Sequence, residues 1–115
     1  MENNITYKDP QRKVGSQKEV PVINISKNEI IVNGYQNFKI NKNTNSLTYL
    51  KKKVKFTFIN NLFNELNKKH KCKTIVDFGC NSGLASLIAL NNNFENIVSL
   101  DHDPEYVDIL RKIKK

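Results

Sequence analysis

The sequence contains few of the residues that build disulfide frameworks or metal sites. Its 115 residues include two cysteines and two histidines. Cys72 and Cys80 have no Cys/His pair at the spacing that would complete a zinc site, and His70 is far along the chain from His102. We therefore expect no metal site, and we expect both cysteines to be free thiols in a reducing compartment.

Long apolar runs are also absent. No stretch approaches the length of a membrane-spanning segment, and residues 1–20 have no apolar core of the kind that a signal peptide carries. Apolar residues make up 38% and charged residues 26% of the chain, which is within the range of a small folded domain. The sequence predicts a soluble, cytoplasmic protein with no membrane partner.

Acids are scarce relative to lysines, and the excess of positive charge is local. The net charge is +8, and residues 51–73 hold eight lysines and one acid. Asn, Lys and Ile together fill 47 of the 115 positions, a bias that an AT-rich genome produces. The basic segment is typical of a solvated helix face, and it also leaves RNA open as a partner.

The first part of the chain predicts an arm and a small β element. Residues 1–20 are polar and basic without periodicity, which predicts a flexible arm. Apolar and polar residues then alternate from residue 20 to 25, and Asn33-Gly34 lies between two apolar runs, a pattern typical of a two-residue hairpin turn. We expect a small β-hairpin element and a loop over residues 21–46.

A four-residue periodicity predicts a helix over residues 47–69, with Asn45 or Ser46 as its cap. The apolar stripe that defines this helix consists of Leu50, Val54, Phe58, Leu62 and Leu66, widened by Leu47, Ile59 and Phe63. Most lysines and asparagines of the segment fall away from the stripe. We expect the stripe to face the core and the basic side to face solvent.

From residue 74 onward the pattern alternates between strands and helices. "KTIVDF" and "ENIVSL" read as buried strands, and "LASLIALNNN" reads as a short, largely buried helix between them. A second helix begins at "DPEYVDIL", where Asp103 is a good N-cap and Pro104 a good first residue. Parallel strands joined by a crossover helix are the basic unit of a doubly wound sheet. The predicted fold class is therefore α/β, a β-α-β-α unit preceded by a helix and a small β-hairpin.

Two of the four glycines lie in the turn "DFGCNSG" between the first of these strands and its helix. Gly79 allows the backbone dihedral angles of a sharp turn, and its missing side chain lets a ligand approach the main chain. Gly83 has no Cβ to obstruct close packing of the helix against the strand. The helix N-terminus leaves free N–H groups and a partial positive charge, which suit a carboxylate, a phosphate or a ribose.

Two nucleotide-binding patterns are incomplete in this turn. A P-loop requires G-x-x-x-x-G-K-[ST], but here the second glycine comes one residue early and no lysine follows. A dinucleotide site requires G-x-G-x-x-G, and Asn81 and Leu84 stand where its second and third glycines would fall. Asp77, at the end of the strand, would also repel a pyrophosphate. The turn excludes the first pattern and disfavours the second.

The segment resembles the class I S-adenosylmethionine (SAM)-dependent methyltransferases. The first motif of that family is an apolar strand followed by D/E-x-G-x-G-x-G, and Asp77, Gly79, Asn81 and Gly83 occupy its marked positions. Asn81 replaces a glycine, a change that we interpret as tolerated because asparagine accepts turn dihedrals better than most residues. The family's second signal is an acid that ends the next strand, and Asp101 in "VSLDHDPEYVD" stands at that place.

The resemblance implies SAM as the cofactor, whose ammonium and sulfonium groups favour a nearby acid. It places Asp77 close to the methionine part of SAM and packs the backbone of residues 79–83 against the cofactor, with Cys80 and Asn81 among the contacts. Asp101 would accept hydrogen bonds from both ribose hydroxyls, and His102 would lie near the adenine. No activating base accompanies Cys80, so we do not expect a nucleophilic thiol.

The resemblance covers residues 50–115 and stops early. A full class I domain has several more strands, and its catalytic or substrate motif usually follows the fourth. Residues 47–115 are therefore predicted to be an incomplete, N-terminal part of the domain, with apolar faces that a second chain or missing C-terminal sequence would cover. Catalytic residues and the methyl acceptor are not identifiable, apart from a weak preference for RNA or a nucleotide. The alternatives are a degenerate, non-catalytic fragment and a basic RNA-binding module.

Overall fold

The computed structural model describes residues 21–114, so the predicted arm over residues 1–20 lies outside the described residues. The described chain contains two sheets and three helices. In chain order the elements are β1 (Val22–Ile25), β2 (Glu29–Asn33), β3 (Phe38–Asn41), β4 (Leu47–Tyr49), α1 (Lys53–Lys68), β5 (Thr74–Phe78), α2 (Leu84–Asn91), β6 (Asn96–Leu100) and α3 (Pro104–Lys114).

The first sheet is a four-stranded antiparallel meander with strand order β1-β2-β3-β4, larger than the predicted hairpin. Alternate residues of β2 and β3 point into the core, and Ile30 pairs with Ile40 while Val32 pairs with Phe38. The two strands are joined by four residues, 34–37, rather than by a two-residue turn at Asn33-Gly34. The longer loop forms because the Asn37 side chain bonds to both backbone groups of Gly34.

The predicted helix over residues 47–69 is wrong at its start. Leu47–Tyr49 forms β4, and Leu47 and Tyr49 pair with Ile40 and Phe38 of β3. Burial against this sheet outweighs the local helical pattern. The helix begins only at Lys53, after Lys52 in the left-handed conformation with φ 55°, and no side chain caps it.

The predicted apolar stripe of this helix is wrong in its four-residue series and confirmed for Ile59 and Phe63, two of the residues expected to widen it. Val54 and Phe58 are 86% and 67% exposed, whereas α1 buries Phe56 and Asn67 and packs Ile59 and Phe63 partly against the core. A strict four-residue step advances about 40° around a helix at each step, so such a stripe winds off the buried face. The buried set uses mixed steps of three and four, which keep side chains on one side.

The second sheet is the parallel pair β5–β6, joined by α2 as a crossover helix. This arrangement confirms the α/β class and the β-α-β-α order. The core joins the first sheet to the three helices, since Leu84, Leu87 and Ile88 of α2 pack in one cluster with residues of β2, β3 and α1 and with Ile109 of α3. At the start of α3 the predicted cap is confirmed, because Asp103 Oδ1 accepts the Glu105 N–H at 3.0 Å.

One face of β5–β6 is open. Val76, Phe78 and Val98 are 46%, 78% and 47% exposed, as expected for a two-stranded parallel sheet that, within residues 21–114, has helix packed on one side only. None of the helices within residues 21–114 has both the length and the apolar character needed to cross a membrane.

Candidate functional site

The parallel pairing brings the predicted site residues to one edge of the β5–β6 sheet. Phe78 at the end of β5 pairs with Leu100 at the end of β6. The glycine turn, residues 79–83, follows β5, and Asp101 and His102 follow β6. Because carboxyl ends of adjacent parallel strands meet at the same edge, the two halves of the sequence pattern become neighbours.

The glycine turn uses three left-handed residues. Gly79, Asn81 and Gly83 have φ angles of 71°, 57° and 89°, which confirms that Asn81 tolerates a dihedral that most residues avoid. A Cβ on Gly79 would meet no heavy atom within 4 Å. The main chain at Gly79 is therefore accessible to a ligand. Glycine is favoured at this position by its positive φ angle and not by a lack of space for a side chain.

Gly83 has a different neighbour from the expected one. A Cβ at this position would lie 2.5 Å from Cδ1 of Leu110 on α3, so the missing side chain permits close packing between α2 and α3. The expectation of close helix–strand packing is corrected by this contact. The absence of a Cβ and the positive φ both favour glycine at position 83.

Every backbone N–H from residue 79 to residue 84 donates within the protein. The acceptors are Leu100 O for Gly79 and Cys80 (2.7 and 2.9 Å), Asp101 Oδ2 for Asn81 (2.7 Å), Asn81 Oδ1 for Ser82 (2.9 Å), Cys80 O for Gly83 (2.9 Å) and Gln36 Oε1 for Leu84 (3.1 Å). The free N–H groups expected along this turn are thus already used. A turn with its N–H groups satisfied internally is a poor cradle for a phosphate.

Asp101 connects this turn to the start of α3. Its Oδ2 accepts the Asn81 N–H at 2.7 Å, and its Oδ1 accepts the Asp103 N–H at 2.9 Å. The side chain is 6% exposed, whereas the adjacent His102 imidazole is 57% exposed with Nδ1 3.6 Å from Asp101 Oδ1. Each carboxylate oxygen retains a second lone-pair site.

Asp77 faces α2. It accepts a hydrogen bond from the Ser86 hydroxyl at 2.7 Å, and the Ser86 Oγ lies 2.6 Å from the Ser99 Oγ. Burial raises the pKa of the Asp77 carboxyl, hydrogen bonds from the Ser86 side chain and backbone oppose this, and the Asp101 charge raises the pKa further. Sequence analysis missed both serines, although the β5–β6 register that pairs Asp77 with Ser99 would have identified one of them.

Cys80 contributes backbone rather than thiol chemistry. The residue is 1% exposed, and burial, with smaller contributions from the Asp101 and Asp77 charges, raises the pKa of its thiol to about 12. A thiol with so high a pKa stays protonated and is a weak nucleophile. The carboxylates of Asp77 and Asp101 make this edge favourable to a cation.

Gln36 is a further residue that sequence analysis missed. It belongs to the β2–β3 loop, and its side-chain oxygen accepts the N–H of Leu84, 48 residues later in the chain. No local pattern signals a contact over such a separation. Within residues 21–114, no group of three His, Cys, Asp or Glu side chains is arranged to hold a metal ion.

Comparison with known proteins gives short matches. A segment of 44 residues is 43% identical to Nodulation protein NoeA of Rhizobium meliloti (strain 1021), covering 38% of this chain and 9% of that protein. Segments of 41 and 39 residues are 42% and 41% identical to proteins named Ribosomal protein L11 methyltransferase from Tolumonas auensis and Photobacterium profundum, covering 36% and 34% of this chain.

The chain spans 14% or less of the length of these curated relatives. No family model matches the chain, and no solved structure matches it. About a third of the chain is therefore similar to methyltransferases, and this similarity supports the methyltransferase class.

Proposed function

We propose that this chain binds SAM and is the cofactor-binding, N-terminal portion of a class I, Rossmann-like methyltransferase. The observation that carries the proposal is the bond between Asn81 and Asp101, which joins a glycine turn to the acid that ends the next parallel strand. The short similarity to proteins named as methyltransferases supports the same class.

The charge and hydrogen bonding of the turn favour SAM over a dinucleotide. A pyrophosphate requires free N–H donors and positive charge, but the N–H groups of residues 79–84 have internal acceptors and two carboxyls lie beside them. SAM brings a sulfonium and an ammonium, which two nearby carboxylates stabilise. An electrophilic methyl group on sulfur is the chemistry that this cofactor supplies.

The residues at this edge of the sheet have different roles in binding SAM. The open main chain at Gly79 permits close approach of the cofactor, and Asp77, near the end of β5, supplies negative charge. Asp101 has lone pairs left for the ribose hydroxyls, and the exposed His102 imidazole offers a face for the adenine. Cys80, Asn81 and Gly83 contact the cofactor through their backbone in this proposal.

The acceptor is proposed to be RNA or a nucleotide, on the strength of local positive charge alone. Lys51, Lys52, Lys53 and Lys55 are exposed at the start of α1, and Lys52 Nζ lies 5.1 Å from the centre of the Tyr35 ring. An anionic acceptor bound there would dissociate steeply as salt rises. Fluorescence anisotropy with single-stranded RNA over a salt series tests this, and binding that does not respond to salt would contradict it.

The open face of β5–β6 favours an incomplete domain over a finished enzyme. We propose that a second chain or further C-terminal sequence covers Val76, Phe78 and Val98 and contributes the acceptor-side residues. The competing candidate is a degenerate fragment that binds no cofactor. SAM binding by this chain separates the two, because a degenerate fragment has no reason to retain it.

Thermal unfolding in the presence of ligands tests the cofactor class. S-adenosylhomocysteine, the demethylated product, at one hundred times its Kd should add about 2.7 kcal/mol to the free energy of unfolding. NAD and ATP at the same concentration should leave the midpoint unchanged. A midpoint raised by NAD or ATP but not by S-adenosylhomocysteine would overturn the proposal.

A further inference from the structure

The β2–β3 loop reaches the glycine turn through a single side chain. Gln36 Oε1 accepts the N–H of Leu84, the first residue of α2, at 3.1 Å. Gly83 is the N-cap of α2 and Leu84 its first residue, so the Leu84 N–H is one of the donors that have no acceptor within the helix. Leu84 is fully buried, so without Gln36 its N–H would be a buried donor lacking an acceptor.

The loop that carries Gln36 is braced on both sides. Asn37 Oδ1 accepts the Gly34 N–H at 3.1 Å, and Asn37 Nδ2 donates to the Gly34 carbonyl at 2.9 Å. The Asn37 carbonyl accepts the Leu50 N–H at 3.0 Å, and the next residue, Phe38, is fully buried. The Gln36 side chain therefore extends from a fixed backbone, and the donor it faces determines which amide atom points to α2.

A short series of bonds leads from Gln36 to the acid of the site. Leu84 follows Gly83, whose N–H donates to Cys80 O at 2.9 Å. Asn81, between them, donates its N–H to Asp101 at 2.7 Å. Holding the N-terminus of α2 in place therefore also holds residues 80–83 in place. These residues include Asn81, whose N–H binds Asp101.

We propose that Gln36 is a positioning residue for the glycine turn, and that the antiparallel sheet contributes to the site through Gln36. Gln36 holds the N-terminus of α2 so that residues 79–83 keep the geometry in which they face the cofactor. The expected effect of Gln36 on cofactor binding rests on the proposed function, whereas its expected effect on the structural order of residues 79–83 does not.

Three variants isolate this role. Gln36→Met keeps the length of the side chain and removes the strong acceptor, whereas Gln36→Glu retains an acceptor oxygen. The matched control is Asn91→Leu, because Asn91 Nδ2 donates to Asn45 O at 3.1 Å and so joins the other end of α2 to the β3–β4 loop. If losing any contact between α2 and the sheet were enough to loosen the helix, Asn91→Leu would have the same effect as Gln36→Met. Disturbance of residues 79–83 is expected from Gln36→Met and not from Asn91→Leu.

Amide hydrogen exchange of the ligand-free chain, followed by NMR, is the first measurement. Gln36→Met should accelerate exchange at Leu84 and at residues 79–83 by roughly tenfold or more, the effect of losing one buried hydrogen bond, while Gln36→Glu and Asn91→Leu leave the turn as in the wild type. Unchanged exchange of the turn in Gln36→Met would overturn the proposal. If that variant does not fold, Gln36→Asn, whose amide is too short to reach, is interpreted in the same way.

Calorimetric titration with S-adenosylhomocysteine is the second measurement. Gln36→Met should raise the Kd by about tenfold, and Gln36→Glu should keep it at or below the wild-type value. An equal rise in Asn91→Leu would contradict a role specific to the turn. If the wild type binds no S-adenosylhomocysteine, the proposed function fails, and hydrogen exchange still decides the role of Gln36.

Discussion

The backbone N–H of Asn81 donates to Oδ2 of Asp101 at 2.7 Å, which fastens the turn after β5 to the residue after β6. The other oxygen of the same carboxylate accepts the Asp103 N–H at the start of α3. One side chain therefore organises the carboxyl ends of both parallel strands. A ligand that uses Asp101 binds to a group already held in place by the fold.

Removing this carboxylate should destabilise the chain even without a ligand. Asp101→Ala leaves two backbone donors without their acceptors, and hydrogen bonds to charged groups contribute about 1.5–3 kcal/mol each. We expect a loss of about 2–4 kcal/mol in the free energy of unfolding measured in urea. Asp108→Ala is the control, because Asp108 is an exposed partner of Lys112 on α3 and its loss should cost less than about 1 kcal/mol. Equal losses in the two variants would show that the Asp101 bonds contribute little.

The two glycines of the turn should differ in their tolerance of alanine. Gly79→Ala places a Cβ in open space and costs only the left-handed backbone, about 1–2 kcal/mol. Gly83→Ala carries the same backbone cost and also drives a Cβ against Leu110. Urea unfolding should therefore rank Gly83→Ala as the more destabilising, and Leu110→Ala in that background should recover part of the difference. The reverse ranking would refute the packing role of Gly83.

The raised pKa of Asp77 predicts a loss of stability as pH rises. Because the folded-state pKa exceeds the unfolded value, the folded chain binds more protons between the two pKa values. The contribution of Asp77 to stability is complete below about pH 4, the usual carboxyl pKa, and is lost as pH rises through the folded-state pKa. Asp77→Asn keeps an oxygen that can accept the Ser86 hydrogen bonds and does not titrate.

Urea unfolding of both proteins across this range provides the check. The stability of the wild type minus that of Asp77→Asn should fall as pH rises above about 4. The other carboxyls titrate in both proteins, so their contributions largely cancel in the difference. A difference that grows with pH would mean that the pKa of Asp77 is lowered by folding.

The two cysteines should react at very different rates. Cys80 is 1% exposed, and burial raises the pKa of its thiol to about 12. Cys72 is only partly buried. Iodoacetamide at mildly alkaline pH should label Cys72 in the folded chain and leave Cys80 unmodified, as mass spectrometry would detect. Both should react in urea. Rapid labelling of Cys80 in the folded chain would be inconsistent with a closed turn.

Local patterns predicted the β-α-β-α half because each of its signals is short-range. The apolar runs of β5 and β6, the cap at Asp103 and the left-handed tolerance of Asn81 all depend on neighbours within a few residues. The parallel pairing of β5 with β6 then follows from the crossover helix between them. Bringing Asp101 to the glycine turn required no information beyond that topology.

The failures arose where distant parts of the chain decide the structure. Leu47 and Tyr49 form a strand because β3 offers a paired, buried surface, although their own spacing favours a helix. The same sheet selects Phe56 over Val54 and Phe58 as the buried side of α1. Gln36 was missed for the same reason, since nothing near it in sequence indicates a contact with Leu84.

The central claim is that the edge formed by residues 79–83 and 101–102 binds SAM. Its most direct test is an NMR titration of the 15N-labelled wild-type chain with S-adenosylhomocysteine, following every backbone amide. The account predicts saturable shifts concentrated at Gly79, Asn81, Asp101 and His102, with β1 and β4 unchanged. A folded chain whose amides do not move, or whose shifts fall elsewhere, would contradict it.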